Sequence, residues 1–408
     1  MKFTTFYKQV LIYIFFLLTL TLGLYINEDL AGGARLDYKY HINVLEILFQ
    51  ESVVYGLLNY EGVGTHSPLF IILLKYLTQH NDIIGRFFYL FLSSSIVIIF
   101  YNILKLKFKI KTKPTLLFLL SNFFLLSPYF RSYSIWPGDE TLALVLFCCS
   151  VYFFLKFSNK DSHKVNIIYN VIFIALASYI RPIYCLFSIF YFYVFFIEKK
   201  FDFKFFIYYF LFNILLSFPA FYYVFILEVD FFSSALKSFN FINTFTLFYL
   251  TIFFYLTPFI LLNLREIFLI KINFLNIFVT IVAFSFVFIF FNYTTSSGGG
   301  FYFHLSKLIF NNNFLVYLVF PFAFYISNQV LQIQKLRNFI ILVIIIFFEI
   351  DGHFYIETYD PLFYILFFTI FKVSIINNIF VDLKKSISII FLFQIFLIFS
   401  KLFQQNFL

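Results

Sequence analysis

The sequence predicts an all-α polytopic membrane protein with about thirteen transmembrane helices and a long first outer loop that carries surface helices. Of its 408 residues, 62% are hydrophobic and 12% are charged, and the mean hydropathy is +0.93. A water-soluble surface needs about a quarter of its residues charged. Long apolar runs also recur along the whole chain. No independent soluble catalytic domain fits this composition, so residues 1–408 are expected to form a single integral membrane domain.

The first predicted span covers residues 10–26, after Lys2 and Lys8. It resembles a secretion signal, but the polar triplet Asn27-Glu28-Asp29 and many further apolar runs follow it, so we interpret it as an uncleaved span. The other predicted spans lie near 84–104, 115–130, 140–155, 165–180, 182–197, 205–227, 246–264, 273–292, 313–327, 338–349, 361–377 and 387–404.

Two segments of the first outer loop, residues 27–83, are predicted to lie along the membrane surface. Residues 68–77 are too few to span a bilayer, and they include Lys75. If they crossed, the five lysines between Lys105 and Lys113 would lie outside, against the positive-inside tendency. Residues 38–58 are expected to lie on the surface in the same way.

The distribution of charge predicts the orientation. With this arrangement about twenty of the 29 basic residues lie in inner loops, and about fifteen of the 20 acidic residues lie outside. We therefore expect an integral membrane protein with a cytoplasmic N-terminus and most of its acidic residues on the outer face. The net charge of +9 is explained by topology, and no nucleic-acid partner is expected.

Nucleotide, metal and thiol chemistry have no recognisable motif in this sequence. There is no GxxxxGK[ST] loop and no GxGxxG turn. Cys148, Cys149 and Cys185 all fall inside predicted spans, without a Cys-x-x-Cys pattern. The carboxylates near residues 349–360 match no strong ligand spacing. We expect no cofactor; a divalent metal at these carboxylates is an alternative that no motif supports.

The first outer loop contains the candidate general bases. A carboxylate close to an apolar boundary is desolvated, which raises its proton affinity and favours a role as a base. Asp is equally a favoured N-cap, so Asp37 could instead cap a surface helix that starts near Tyr38. The catalytic candidates are Asp37, Glu28 and Asp29, and the candidate substrate-binding side chains of this loop are His41 and His66.

Further polar residues lie at the outer ends of later spans. Arg131 ends the third span, Asp139 and Glu140 open the fourth, and Arg181 separates the fifth from the sixth. An arginine fork binds phosphate well, although an arginine at this depth could also extend to lipid headgroups. We take all four as candidate substrate-binding residues.

The second substantial outer loop, residues 293–312, contains three consecutive glycines, Gly298 to Gly300, before a short helical pattern. Such glycines let backbone N–H groups converge on an anion. His304 and Lys307 follow, three residues apart on one helix face, and are candidate substrate-binding residues. The alternative is a flexible loop followed by a surface helix.

The order of these features resembles the multispan GT-C glycosyltransferases, which include the protein O-mannosyltransferases and the lipid A aminoarabinose transferases. The resemblance covers mainly residues 1–160. It rests on one span, a long outer loop with a carboxylate, His66-Ser67-Pro68-Leu69 where many members have H-P-P-L, Ser127-Pro128-Tyr129, and the acidic pair at 139–140. The usual Asp-Glu pair stands here as Glu28-Asp29, and the C-terminal soluble domain of some members is absent.

The resemblance implies a glycosyltransferase of a bacterial inner (plasma) membrane that takes a sugar from polyprenyl phosphate. Its active face is expected to be periplasmic or extracellular, with an acidic residue of the first outer loop as base. Its expected partners are the lipid-linked donor and membrane lipids, and its acceptor is not specified. Two alternatives stay open. One is a surface-polysaccharide polymerase or ligase, and the other is a multispan lipid or solute transporter, in which charges buried within spans and broken helices are expected.

Overall fold

The computed structural model describes residues 2–48, 52–58, 68–78, 81–108, 113–158, 164–199, 201–226, 239–268, 274–295, 298–349 and 352–407. The regular secondary structure in these ranges is helical, and they contain no β-strand. The chain folds as two compact units, which we describe separately. Unit 1 comprises Met1–Phe231 and Phe391–Leu408, and unit 2 comprises Phe232–Ile390. The expectation of one membrane domain over residues 1–408 stays a prediction.

Helices are numbered here in the order in which they are described. Unit 1 contains α1 (Lys2–Tyr25), α2 (Ala34–Leu48), α3 (Val53–Leu58), α4 (Pro68–Thr78), α5 (Asp82–Ser94), α6 (Ile96–Phe108), α7 (Pro114–Ser121), α8 (Pro128–Ile135), α9 (Asp139–Ser158), α10 (Val165–Ile180), α11 (Phe187–Phe192) and α12 (Phe203–Phe221). Short 3₁₀ segments cover Asn122–Leu126 and Pro182–Leu186, and π segments cover Tyr193–Glu198 and Tyr222–Ile226.

Unit 2 contains α13 (Phe241–Leu262), α14 (Leu264–Phe268), α15 (Phe274–Phe290), α16 (Gly300–Phe310), α17 (Phe314–Leu331), α18 (Leu336–Ile346), the 3₁₀ segment Ile356–Thr358, α19 (Leu362–Phe368) and α20 (Ser374–Asn378). The last helix, α21 (Leu383–Phe407), begins in unit 2 and ends in unit 1.

Within the described ranges, seven helical stretches are long and apolar enough to cross a membrane. They are Thr4–Tyr25, Asp82–Phe108, Asp139–Ser158, Phe203–Ile226, Phe241–Leu262, Phe314–Leu331 and Leu383–Gln404. Shorter apolar stretches are Pro68–Thr78, Pro114–Leu126, Val165–Ile180, Pro182–Glu198, Phe274–Phe290 and Leu336–Ile346. The all-α class is confirmed and the long apolar helices are those of a membrane protein, while the count of thirteen spans stays a prediction.

The prediction of one continuous helix over residues 361–377 is wrong. The segment contains two short helices, α19 and α20, with a non-helical stretch from 369 to 373 between them. The side chain of Asn338 stabilises this break, because it bonds to backbone groups of Lys372 that have left the helical pattern. Its Oδ1 accepts from the Lys372 N–H at 3.1 Å, and its Nδ2 donates to the Lys372 carbonyl at 3.2 Å. Irregular backbone at membrane depth requires such internal partners.

Side-chain hydrogen bonds show that α1 runs antiparallel to α5 and α6. From one end to the other they join Gln9 to Tyr101 at 2.9 Å, Tyr13 to Ser94 at 2.7 Å, and Asn27 to Arg86 at 3.3 Å. Helices α9 and α10 are antiparallel as well, since the Asn170 amide donates to Ser150 Oγ near their middle and Arg181 meets Glu140 at their ends.

Unit 1 therefore has two ends of different charge. At one end, which we call the acidic end, α1 and α10 finish and α5 and α9 begin, and it includes Glu28, Asp29, Asp82, Asp139 and Glu140. The last turns of α6 and α9, at the opposite end, carry Lys105, Lys107 and Lys156.

The predicted surface segments are helical, but their boundaries and burial differ from expectation. Helix α2 begins at Ala34 rather than near Tyr38. Helix α4 does begin at Pro68, and its side chains Phe70, Ile71 and Leu74 are completely buried. Its apolar face therefore packs against protein within unit 1.

In unit 2, helix α16 begins beside the middle of α13. The Phe301 ring stacks on Phe254 with centroids 4.7 Å apart, and Tyr302 stacks on Phe253 at 6.2 Å. Before it, Asn292 is hydrogen-bonded to Asn243 at the start of α13. Asn292 therefore lies beside the start of α13, and the first turn of α16 lies beside its midpoint.

Candidate functional site

Asp29 supplies the cap that starts α2. Its Oδ1 accepts from the Gly32 N–H and its Oδ2 from the Arg35 N–H, both at 3.1 Å. Both carboxylate oxygens thus satisfy N–H groups at a helix start, which is the ordinary work of an N-terminal Asp. Asp37 lies inside the first turn of α2, so its interpretation as the cap of a helix starting near Tyr38 is wrong.

Glu28 and Arg131 form a buried, two-pronged ion pair. Arg131 Nε donates to Glu28 Oε1 and Nη2 donates to Oε2, both at 2.6 Å. The other N–H groups bond to Thr19 Oγ1, the Thr19 carbonyl and the Leu125 carbonyl at 3.0–3.1 Å. The two side chains are 12% and 8% exposed. All five guanidinium donors have protein acceptors, so in this arrangement Arg131 offers none to a phosphate.

Gly23 of α1 lies close to both members of this ion pair. A methyl group added there would lie 2.5 Å from Glu28 Oε2 and 3.2 Å from Arg131 Nη2. The turn of α1 that faces the pair therefore requires glycine, since no larger side chain fits without displacing one of the charges.

Asp37 is exposed and is hydrogen-bonded to a buried tyrosine. The Tyr133 hydroxyl donates to Asp37 Oδ2 at 2.8 Å, and Tyr133 is 3% exposed. Thr141 Oγ1 donates to the Tyr133 carbonyl at 2.8 Å, which ties α8 to the start of α9. Asp37 is thus oriented from one side by protein and faces solvent on the other.

The Tyr133 ring and Glu140 Oε2 both lie beside Gly138. A methyl group added at Gly138 would lie 2.3 Å from the Tyr133 ring and 3.0 Å from Glu140 Oε2. Glycine at 138 therefore lets the ring and the carboxylate approach each other closely. Tyr89, which is completely buried, donates its hydroxyl proton to the Gly138 carbonyl and holds this turn in place.

Arg181 binds both carboxylates at the start of α9. Its Nη1 lies 3.1 Å from Glu140 Oε1, and its Nε lies 4.0 Å from Asp139 Oδ2. Arg181 keeps 26% of its side chain exposed, while Glu140 keeps 19% and Asp139 5%. Glu140 Oε2 has no hydrogen-bond partner among the described residues.

The Tyr133 hydroxyl contacts Asp37, Arg181 contacts Asp139 and Glu140, and both Tyr133 and Glu140 border Gly138. We call this group the Asp37–Arg181 cluster: Asp37, Tyr133, Asp139, Glu140 and Arg181. It joins four elements of unit 1 at the acidic end. One edge carries an exposed carboxylate and the other a partly exposed guanidinium. Such an arrangement can accept a proton at one point and neutralise an anion at another.

A second group of side chains, which the sequence analysis missed, supports the acidic end. Trp136 donates its indole N–H to the Glu28 carbonyl at 3.0 Å. The guanidinium carbons of Arg86 and Arg35 lie 3.5 Å and 5.2 Å from the Trp136 ring centroid. Arg86 is buried and also donates to the Ile135 carbonyl at 3.0 Å. Trp136 is the sequence's one tryptophan, which was the available signal for a special role.

Tyr38 and Asp82 complete this support. The Tyr38 hydroxyl donates to Asp82 Oδ1. Burial, together with the hydrogen bond to Asp82, raises the pKa of Tyr38 well above its ordinary value. Tyr38 therefore stays protonated and serves as a structural donor between α2 and α5.

The remaining predicted site residues lie elsewhere. His41 is 1% exposed and packs edge-on against Phe70 at 5.0 Å, in unit 1. His66 lies outside the described residues. His304 and Lys307 are half-buried on α16 in unit 2, where Lys307 Nζ lies 5.4 Å from the Phe303 ring centroid.

Metal binding has no candidate in the part of the chain that the structure describes, since no group of three His, Cys, Asp or Glu side chains there could hold an ion.

Comparison of the chain with protein-family models, with curated proteins and with solved structures finds no match. The chemistry of the Asp37–Arg181 cluster is therefore inferred from its own contacts.

Proposed function

We propose that the chain is a glycosyltransferase of the bacterial inner membrane that moves a sugar from polyprenyl phosphate to a glycan, lipid or protein acceptor on the outer face. One observation carries this proposal, namely that the Asp37–Arg181 cluster joins an exposed carboxylate to a partly exposed guanidinium at the acidic end of unit 1. Glycosyl transfer from a lipid phosphate requires both groups, a base for the acceptor and a cation for the leaving group.

The proposed reaction gives one role to each edge of the cluster. The acceptor oxygen attacks the anomeric carbon while its proton passes to the Asp37 carboxylate. The bond between the anomeric carbon and the phosphate oxygen breaks, and its electron pair stays on the lipid phosphate. Arg181, held in position by Asp139 and Glu140, neutralises that phosphate. Glu28, Asp29 and Arg131, bound to one another or to backbone, maintain the shape of this end.

The outer-face placement rests on the charge difference between the two ends of unit 1. Because basic residues favour the cytoplasmic side, we expect a reporter fused after Lys113 to be cytoplasmic and one fused after Gly299 to be periplasmic. Paired phosphatase and fluorescent-protein fusions measure this directly. A periplasmic reporter after Lys113 would place the cluster, at the other end of unit 1, on the wrong face for a lipid-linked donor. A cytoplasmic reporter after Gly299 would contradict the predicted topology of thirteen spans.

Arg181 provides the test of the reaction class. Purified protein in liposomes, given a labelled polyprenyl-phosphate sugar and a membrane extract as the source of acceptor, should release polyprenyl phosphate. Arg181→Gln should lower the turnover number about 10²-fold, the usual loss when one donor to a developing oxyanion is removed. Arg181→Lys should recover part of it, because the charge remains.

Arg35→Gln is the matched control, since it removes an exposed arginine at the same end that lies over Trp136. Its turnover should stay within about threefold of wild type, a surface-substitution effect. If the wild-type protein cleaves no polyprenyl-phosphate sugar, or if both variants lose activity equally, the glycosyltransferase proposal fails.

A transporter is the second candidate, because α16 begins at mid-span and residues 361–377 are broken. Half-helices of this kind surround transported ligands in many carriers. A transporter would move a labelled solute across the liposome without cleaving the sugar–phosphate bond, which the same assay detects. A polymerase or ligase of surface polysaccharide would use the same donor and differ in its acceptor.

A further inference from the structure

The start of α16 lies deep in unit 2, beside the side chain of Thr251. Thr251, at the midpoint of α13, is 4% exposed, and its Oγ1 has no hydrogen-bond partner among the described residues. A methyl group added at Gly300, the first residue of α16, would lie 3.1 Å from this oxygen. The Thr251 hydroxyl therefore adjoins the helix N-terminus, where backbone N–H groups have no intrahelical acceptor.

A second buried hydroxyl lies nearby. Tyr359 is fully buried, and its OH is likewise unpaired within the described ranges. Its ring packs on Phe354 at 5.1 Å and on Phe248 at 5.8 Å. The Phe354 carbonyl accepts from the Gly299 N–H at 2.8 Å, and Thr251 follows Phe248 by one helical turn. Both hydroxyls thus belong to the same part of unit 2.

The backbone here has a conformation that favours glycine. Gly298, Gly299 and Gly300 have φ values of 75°, 95° and 82°, and no side chain in the described part of the chain caps α16. A buried hydroxyl without a partner carries an unfavourable desolvation cost. The Thr251 hydroxyl lies at the start of α16, and the Tyr359 hydroxyl lies in the same part of unit 2. A ligand bound between the helix start and Tyr359 would supply an acceptor to both hydroxyls.

We propose that the N-terminus of α16, with Thr251 and Tyr359, binds an oxyanion of the phosphate class within unit 2. A helix N-terminus favours anions through its N–H groups and its dipole, and the two hydroxyls add donors. Burial and the charge of Glu349 raise the pKa of Tyr359 well above its ordinary value, so its OH keeps the proton that it donates. This site is separate from the Asp37–Arg181 cluster, and its test does not depend on glycosyl transfer.

The test measures binding of radiolabelled inorganic phosphate to the purified full-length protein. Thr251→Val removes the hydroxyl with little change of shape, and Tyr359→Phe does the same for the phenol. Each should weaken phosphate binding about tenfold, the effect of one hydrogen bond to a charged group. Thr246→Val is the matched control, because Thr246 is completely buried in the same helix and donates to the Ile242 carbonyl at 2.7 Å. Its affinity should stay within about twofold of wild type.

The melting temperature and the displacement of phosphate by a lipid test the same site. Without phosphate, Thr251→Val should melt at or above the wild-type temperature, because it removes a buried hydroxyl that bonds to none of the described residues. A clearly lower melting temperature would mean that the hydroxyl bonds to protein, and would overturn the proposal. Phosphatidic acid, added to phosphatidylcholine nanodiscs, should displace bound phosphate if the natural ligand is a lipid phosphate and leave it bound if the ligand is a free ion. Absence of phosphate binding by the wild type, or equal binding by all three variants, would also overturn it.

Discussion

Asp37→Asn is expected to lower glycosyl transfer by about 10² to 10⁴-fold, the usual contribution of a positioned general base. The substitution keeps the size of the side chain and an oxygen that can accept the hydrogen bond from Tyr133, which lies 2.8 Å away in the wild type. It removes only the capacity to take a proton near neutral pH. The protein should still insert in the membrane, and its affinity for the lipid-linked donor should change little. Initial rates of polyprenyl phosphate release in liposomes measure the effect.

The matched control for this substitution is Asp29→Asn. Asp29 caps α2 by accepting from two backbone N–H groups, one at each carboxylate oxygen. Asn keeps one of these two acceptors and is itself a favoured cap residue, so we expect activity within about threefold of wild type. A large loss in Asp29→Asn, with normal activity in Asp37→Asn, would assign the base to the end of α1. If both variants keep the activity of the wild type, this loop takes no part in the mechanism and the transporter is favoured.

Arg131→Met is expected to lower the free energy of unfolding by about 3–5 kcal/mol, because it leaves the largely buried carboxylate of Glu28 without its partner. The side chain is 8% exposed and connects the end of α1 to α8 through five hydrogen bonds. Denaturation in mixed detergent micelles, followed by circular dichroism, measures the loss. The rate of polyprenyl phosphate release per folded molecule should change less in Arg131→Met than in Asp37→Asn.

The double variant Glu28→Gln with Arg131→Met separates the charge effect from lost packing. Replacing both members of a buried ion pair costs much less than breaking it, since no uncompensated charge remains. The double variant should therefore be more stable than Arg131→Met alone. If the two are equally unstable, packing of the Arg131 stem, rather than its charge, stabilises this end of unit 1.

The sequence alone determined the class of protein and the places where most helices lie. Residues 165–180 form α10 with the predicted bounds, and the predicted span at 140–155 lies within α9. Hydrophobicity is a property of each segment by itself, so apolar runs identify membrane helices without knowledge of their neighbours. The concentration of carboxylates near helix starts, at Asp139 and Glu140 for example, was visible for the same reason.

Tertiary structure alone decided the partners of the charged residues. Arg131 and Arg181 looked equivalent in the sequence, yet Arg131 is committed to a carboxylate 103 residues away, while Arg181 keeps an exposed edge beside Glu140. The bond from Tyr133 to Asp37 joins residues 96 positions apart. The depth of α16 depends likewise on contacts with α13. A guanidinium or a helix N-terminus binds whichever suitable group lies within about 3 Å, and only the folded chain determines which group that is.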